Sequence, residues 1–203
     1  TTDWVVLLNN DAEVGPDFLA NLAAAADAAA PDVGTLTARV LLAEPVDGVV
    51  LVNSTGNQVR TDGYGQDRGW LEPADDHHPG PDVFGFCGAA AALRTSALGE
   101  VGLFDEDFFL YYEDSDLSWR LRRAGWRVEY CAEAVAHHHH SASTVEGSRT
   151  FRFHNERNRL LLLAKNATRK RAVYWWWRYV LTTGSVALRR HQPLTITTTR
   201  IHA

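Results

Sequence analysis

The chain has 203 residues, is 45% hydrophobic and carries 25 acidic and 20 basic side chains, a net charge of −5. That suffices for one domain with an appendage and a sizeable core, and the acidic balance leaves nucleic acid off the expected partners. No uncharged apolar run approaches the ~20 residues that span a bilayer. Cys87 and Cys131, in apolar surroundings and without metal-ligand spacing, read as reduced core thiols of a cytoplasmic protein.

The net charge hides a split. Residues 1–150 hold 24 acids against 9 Lys/Arg, whereas residues 151–203 hold 1 acid against 11. Either a basic helical tail covers an acidic domain, or the tail faces anionic lipid or phosphates. The chain contains no Met and opens on Thr1-Thr2-Asp3, so it reads as an internal piece of a longer protein.

Trp4-Val5-Val6-Leu7-Leu8 is a continuous apolar run that breaks into Asn9-Asn10-Asp11. It predicts a strand buried on both faces, with polar residues at its carboxyl end, where open α/β sheets bind ligands. Pro16 suits the first turn of a helix to about Ala29, with Phe18, Leu19 and Leu22 inward. Val33–Leu42 reads as a strand or strand pair. From Ala43 to Pro81 turn-formers cluster; Asp62-Gly63 between Val59 and Tyr64 can close a hairpin, and Asp75-Asp76-His77-His78 reads as a solvated loop rather than a metal site. In the small-residue stretch 83–93, glycines such as Gly88 let backbone approach a ligand or pack against another element. A short helix is expected over Arg94–Val101.

Four aromatics in five residues (Phe108, Phe109, Tyr111, Tyr112) lead into Glu113-Asp114. Leu117 and Leu121 then mark a helix face, Gly125 a helix stop, and Trp126–Cys131 a strand. Acids at a helix N-terminus complement its dipole and free N–H groups, which accounts for Asp114 and Asp116 structurally. The aromatic wall supports the other reading, a carboxylate at the mouth of an apolar pocket built as a general base. His137 to His140 follow; in extended chain His138 and His140 share a face and can ligate a divalent cation, or the run is a solvated loop. Phe151–Asn166 reads as a helix. Ala172–Arg190, with Tyr174-Trp175-Trp176-Trp177-Arg178-Tyr179, suits either a membrane–water interface or helix packing. The polar stretch 191–203 reads as a tail.

This order of pieces resembles the family 2 glycosyltransferases with the GT-A fold, especially bacterial rhamnosyl- and galactofuranosyltransferase-like members. Leu7-Leu8-Asn9-Asn10-Asp11, Cys87-Gly88-Ala89-Ala90, Val101-Gly102-Leu103-Phe104-Asp105-Glu106, Tyr112-Glu113-Asp114-Ser115-Asp116-Leu117 with Arg120, Ala124-Gly125-Trp126, His138-His139-His140-Ser141-Ala142-Ser143 and Glu156-Arg157-Asn158-Arg159-Leu160 carry the match. The resemblance implies an α/β GT-A domain over 1–145 lacking its first βαβ units, basic aromatic helices over 146–190 and a tail over 191–203. It implies a nucleotide-sugar donor, a glycan or glycolipid acceptor of the cell envelope, and Mg²⁺ or Mn²⁺ as cofactor.

Within that resemblance Asp11 and His138 would hold the cation. Asn9 stands where the family's motif has its first acid, so it offers only a neutral oxygen. Asp114 falls at the family's inverting catalytic base and Glu113 would orient the site; Asn9, Asn10, Gly88 and Arg157 fall at donor- or acceptor-binding positions. A Gln-x-x-Arg-Trp motif is absent, which implies transfer of one or a few sugars. The expected place of action is the cytoplasm, with residues 172–190 against the inner face of the cell membrane. A non-catalytic carbohydrate- or membrane-associated module on the same fold is the second reading. A metal hydrolase using the histidines is a third, without a His-Glu-x-x-His pattern to support it. These 203 residues alone are expected to show no transfer.

Overall fold

The computed structural model describes residues 2–139, 148–189 and Arg200. Among them seven strands form a mixed sheet. Its main path runs β1 (Trp4–Leu8), β8 (Ala90–Arg94), β3 (Val33–Leu42), β9 (Arg127–His138), β2 (Ala12–Val14), with β4 (Val52–Ser54) on β3 and β7 (Asp82–Val83) on β9. Only β3 and β9 run parallel; every other pairing is antiparallel. A separate hairpin joins β5 (Asn57–Val59) to β6 (Gly65–Asp67) across the expected Asp62-Gly63 turn.

The core lies on both faces of the sheet, around β3 at the middle of its main path. Val33, Leu36, Ala38 and Val40 of β3 meet Phe18 and Leu22 of helix α1 (Phe18–Ala28) on one face. On the other face, Ala91 and Leu93 of β8 and Val128 of β9 meet Ala97 of α2 (Thr95–Val101) and Leu117 and Leu121 of α3 (Glu113–Arg123). The outcome is a helix–sheet–helix sandwich, as apolar faces on both sides of one sheet require. Gly125, at φ 96°, turns the chain out of α3 into β9, a conformation that costs glycine least. Helix α4 (Arg149–Asn166), capped by the Ser148 hydroxyl on Phe151 N–H, packs Leu162 on Phe108 and Tyr112; α5 (Arg169–Arg189) packs on α4.

Four expectations change. β1 is not buried on both faces: Val5, Val6 and Leu8 are more than 40% exposed, and among the described residues β1 is an edge strand paired with β8 alone. Leu19 faces solvent at 62% exposure, since the α1 face toward the sheet is set by Phe18 and Leu22. The strand after Gly125 does not stop at Cys131 but continues to His138. Pairing with β3 and β2 overrides the weak local pattern of Ala132–Ala136. Within the 75–78 loop His77 is buried, bonded through its ring nitrogens to Thr55 Oγ1 (2.9 Å) and Glu72 Oε2 (2.7 Å). His140 and Ser141–Ser143 lie outside the described residues.

Candidate active site

Two strand pairings bring distant residues to one end of the sheet. β2 against β9 sets Ala12 opposite His138, and His139 N–H donates to the Asp11 carbonyl (2.9 Å). β1 against β8 sets Leu8 opposite Ala90, and Asn9 N–H donates to the Ala89 carbonyl (2.9 Å). Asn9 and Asp11 therefore leave the end of β1 beside Gly88-Ala89 on one side and His138 on the other. Asp11 Oδ1 lies 2.9 Å from His138 Nε2, and the Asn9 side-chain amide lies 3.4 Å from the same nitrogen. His138 Nδ1 faces buried Asn53 Oδ1 at 2.6 Å.

Helix α3 delivers the acids from the opposite direction. Tyr111 and Tyr112, just before it, both sit in the left-handed region at φ 66° and 73°. Non-glycine residues hold that conformation only when surroundings over-determine it, at about 1–3 kcal/mol each. Here Asn158 of α4, fully buried, donates to the carbonyls of Leu110 and Tyr111 (2.7 and 2.8 Å). The Tyr112 hydroxyl donates to Asn155 Oδ1 (3.0 Å) and accepts from Gly65 N–H (3.2 Å).

The turn separates the two acids that helix-dipole reasoning left equivalent. Asp116 points into the interior, fully buried, and bonds Arg120 Nε (2.8 Å) and Asn166 Nδ2 (2.7 Å). Asp114 points to a cleft. Its Oδ2 accepts from Gly88 N–H (3.1 Å) and its Oδ1 from Ser115 N–H (2.6 Å) and Ser115 Oγ (3.2 Å).

That cleft, about 400 Å³, is lined by Asn9, Asp11, His138, Gly88, Glu113 and Asp114 among others. A second cavity of about 510 Å³, bordered by Gln66, Trp70, Glu72 and Asn155, adjoins it. Asp67, Tyr111, Glu113, Asp114 and Phe151 border both, so the acids stand on the shared wall. Burial is the main cause raising the Asp114 carboxyl above its ordinary range, against the hydrogen bonds from Gly88 and Ser115. Glu113 is pushed up to about 7, by burial first and by the Asp114 charge second, and its Oε2 is buried with no hydrogen-bond partner among the described residues. Two neighbouring carboxyl groups with raised affinity for protons, bordering both cavities, form a unit suited to accepting one.

The family model described as glycosyl transferase family group 2 matches residues 4–199. The chain belongs to this family. Over 162 residues it is 35% identical to an N-acetylglucosaminyl-diphospho-decaprenol L-rhamnosyltransferase of Mycobacterium tuberculosis, known from two strains. The match covers 70% of this chain and 48% of the relative, so the chain spans about half the length of the curated relatives it matches. The chain also superposes on GalNAc-T7, crystallised with UDP, GalNAc and Mn²⁺. There the TM-score is 0.56 and the identity 13%, over 80% of this chain and 31% of that one. A Pyrobaculum calidifontis mannosyltransferase solved with GDP-Man and Mn²⁺ aligns at a TM-score of 0.48 and 16% identity, over 100% of this chain and 61% of that one. The fold is GT-A.

Of the residues singled out in the family 2 sequence, Asn9, Asp11, Gly88, Glu113, Asp114 and His138 meet at the cleft. Asn10 stays exposed beside it, its N–H donating to Asn9 Oδ1 (3.0 Å). Arg157 lines neither cavity; it donates to the Asp107 carbonyl and to Asn158 Oδ1, both at 2.7 Å. Sequence reasoning missed Asp67 and Asn53. Asp67 lies in the turn-former-rich stretch 43–81, where nothing singles it out locally, yet extending the Asp62-Gly63 hairpin register sets it opposite Asn57 at the hairpin base. Nothing local distinguishes Asn53.

The donor set suits a divalent cation. In the tautomer whose Nδ1–H donates to Asn53 Oδ1, His138 Nε2 turns its lone pair toward the Asp11 carboxylate 2.9 Å away, so the pair could share a cation. Among the described residues no third His, Cys, Asp or Glu joins them. One carboxylate, one imidazole and the Asn9 amide would therefore share the ion with donor oxygens and water.

Proposed function

We propose that the protein is an inverting, metal-assisted glycosyltransferase moving a sugar from a nucleotide-diphosphate donor to a hydroxyl of a cell-envelope glycan or glycolipid. The observation that supports this best is the position of Asp114 on the wall between two cavities, with Asn9, Asp11 and His138 grouped in one of them. In this reading the metal-side cleft takes the donor diphosphate and the Gln66–Trp70 cavity takes the acceptor sugar.

The acceptor oxygen attacks the anomeric carbon from the face opposite the diphosphate. The new carbon–oxygen bond forms as the bond to the diphosphate breaks, the electron pair leaves with the diphosphate, and Asp114 Oδ2 takes the hydroxyl proton. Gly88 N–H and Ser115 hold that carboxylate in line, while Glu113, with an unpartnered oxygen, is placed to accept a neighbouring acceptor hydroxyl. A bound Mg²⁺ or Mn²⁺ supplies charge neutralisation for the departing diphosphate. The relative's name suggests the substrate classes: L-rhamnose as the transferred sugar and a sugar-diphospho-polyprenol as acceptor. Contact with the cytoplasmic membrane face through 172–190 belongs to the same reading.

Asp114→Asn in the full-length protein tests the assignment. Turnover should fall about 10²–10⁴-fold, the contribution of a placed general base, with nucleotide-sugar binding retained. Undiminished turnover removes Asp114 from the mechanism. A wild-type protein that transfers nothing from any nucleotide-sugar favours the non-catalytic module instead.

A further inference from the structure

The inward face of α5 is formed by Ala172, Trp175, Tyr179, Thr183 and Val186, partly or fully buried at the i, i+3, i+7 spacing of one helix side. Tyr179 is its anchor, 7% exposed, with its hydroxyl donating to the Arg200 carbonyl (2.8 Å). On a helix that ended its role in packing, the opposite face would be polar. Here Trp177, Leu181 and Leu188 stand opposite the inward side, 53%, 64% and 85% exposed, and exposed Val173, Val180 and Trp176 extend the apolar surface round one flank. The Trp176 and Trp177 rings sit 5.0 Å apart, edge to face, forming one aromatic ridge.

The polar residues beside this ridge have one sign. Arg171 and Arg178, seven residues apart, are exposed along one flank, and Arg169 and Lys170 open the helix. No acid occupies the first turn, so three cations crowd the positive end of the helix dipole, an arrangement that nearby anions relieve. No helix among the described residues is long and apolar enough to cross a membrane. A helix of 21 residues with an apolar outer face, interfacial aromatics and flanking arginines suits the plane of a bilayer surface instead.

We propose that the outer face of α5 docks the protein on an anionic bilayer, with Trp176, Trp177 and Leu181 entering the headgroup–acyl boundary and Arg169, Lys170, Arg171 and Arg178 on lipid phosphates. The proposal rests on the membrane contact in the proposed function and specifies it, but it is independent of sugar transfer. Charge decides the occupant: a second copy of α5 would bring like charges together, whereas phosphatidylglycerol brings the complement.

The test is sedimentation of full-length protein with phosphatidylcholine vesicles, with and without phosphatidylglycerol, at low and high salt. Binding should require the anionic lipid and weaken with salt. Arg171→Gln with Arg178→Gln should weaken it about 25-fold, at about fivefold per lost charge. Trp176→Ser with Trp177→Ser should abolish the residual binding at high salt. Helix content by circular dichroism should stay unchanged in both variants, because these side chains are exposed. Binding equal on neutral and anionic vesicles, or equal in wild type and both variants, overturns the proposal. So does lipid-free self-association that the tryptophan variant removes, which would assign the face to a second copy. Loss of transferase activity in Asp114→Asn leaves the vesicle result unaffected, so the two readings fail separately.

Discussion

Asp67 shows how much a single carboxylate can carry. It borders both cavities, and burial, with a smaller contribution from the Asp114 charge, pushes its carboxyl up to about 6 against a hydrogen bond from Ser54. The folded protein therefore holds the Asp67 proton more tightly than the unfolded chain. That stabilisation is complete below the unfolded value near 4 and is lost as pH rises through about 6. Asp67→Asn should accordingly raise stability over wild type at about pH 8, by on the order of 1–3 kcal/mol, with the gain vanishing toward about pH 4. Urea denaturation at the two pH values checks it; a gain that grows toward acid contradicts the assignment. Asn53 acts at the same scale from behind His138. If it fixes the imidazole for metal, Asn53→Ala in the full-length protein should weaken Mn²⁺ binding about 10–100-fold in a direct titration. An unchanged affinity would leave Asn53 as packing only.

Among elements, the turn entering α3 is the most constrained. Two consecutive left-handed tyrosines aim Glu113 and Asp114 at the cleft, and α4 holds them there through Asn155 and Asn158. Asn158→Ala removes a fully buried donor from two part-buried carbonyls. It should cost about 1–3 kcal/mol in urea denaturation, the range for breaking buried hydrogen bonds. A loss under about 0.5 kcal/mol, the range of surface substitutions, would show that the turn holds itself. The helices were readable as local patterns: Leu117 and Leu121 set the face of α3 and Gly125 its stop, close to where they are found. Strands were harder. The length of β9 depends on β3 and β2 beside it, and no residue between Ala132 and Ala136 announces that pairing.

At the scale of the whole molecule, the family, the GT-A fold and most cleft residues were legible, because they sit in short contiguous motifs: Asn9 to Asp11, Gly88, Glu113-Asp114 and His138. Arg157 also lies in such a motif but is engaged with Asp107 and Asn158 outside both cavities. Burial misled at β1, where five apolar residues suggested two covered faces although Val5, Val6 and Leu8 are exposed.

The amino-acid order by itself determined which segments coil, which extend and where they break, because helix periodicity, glycine stops and turn residues act over a few neighbours. Only the tertiary structure decided that Asp11 faces His138 across 127 positions of chain, and that Asp114 turns outward while Asp116, two residues on, is sealed inside. Strand register and helix packing are set by partners far along the polymer, and those partners choose which of two similar carboxylates opens on the cleft.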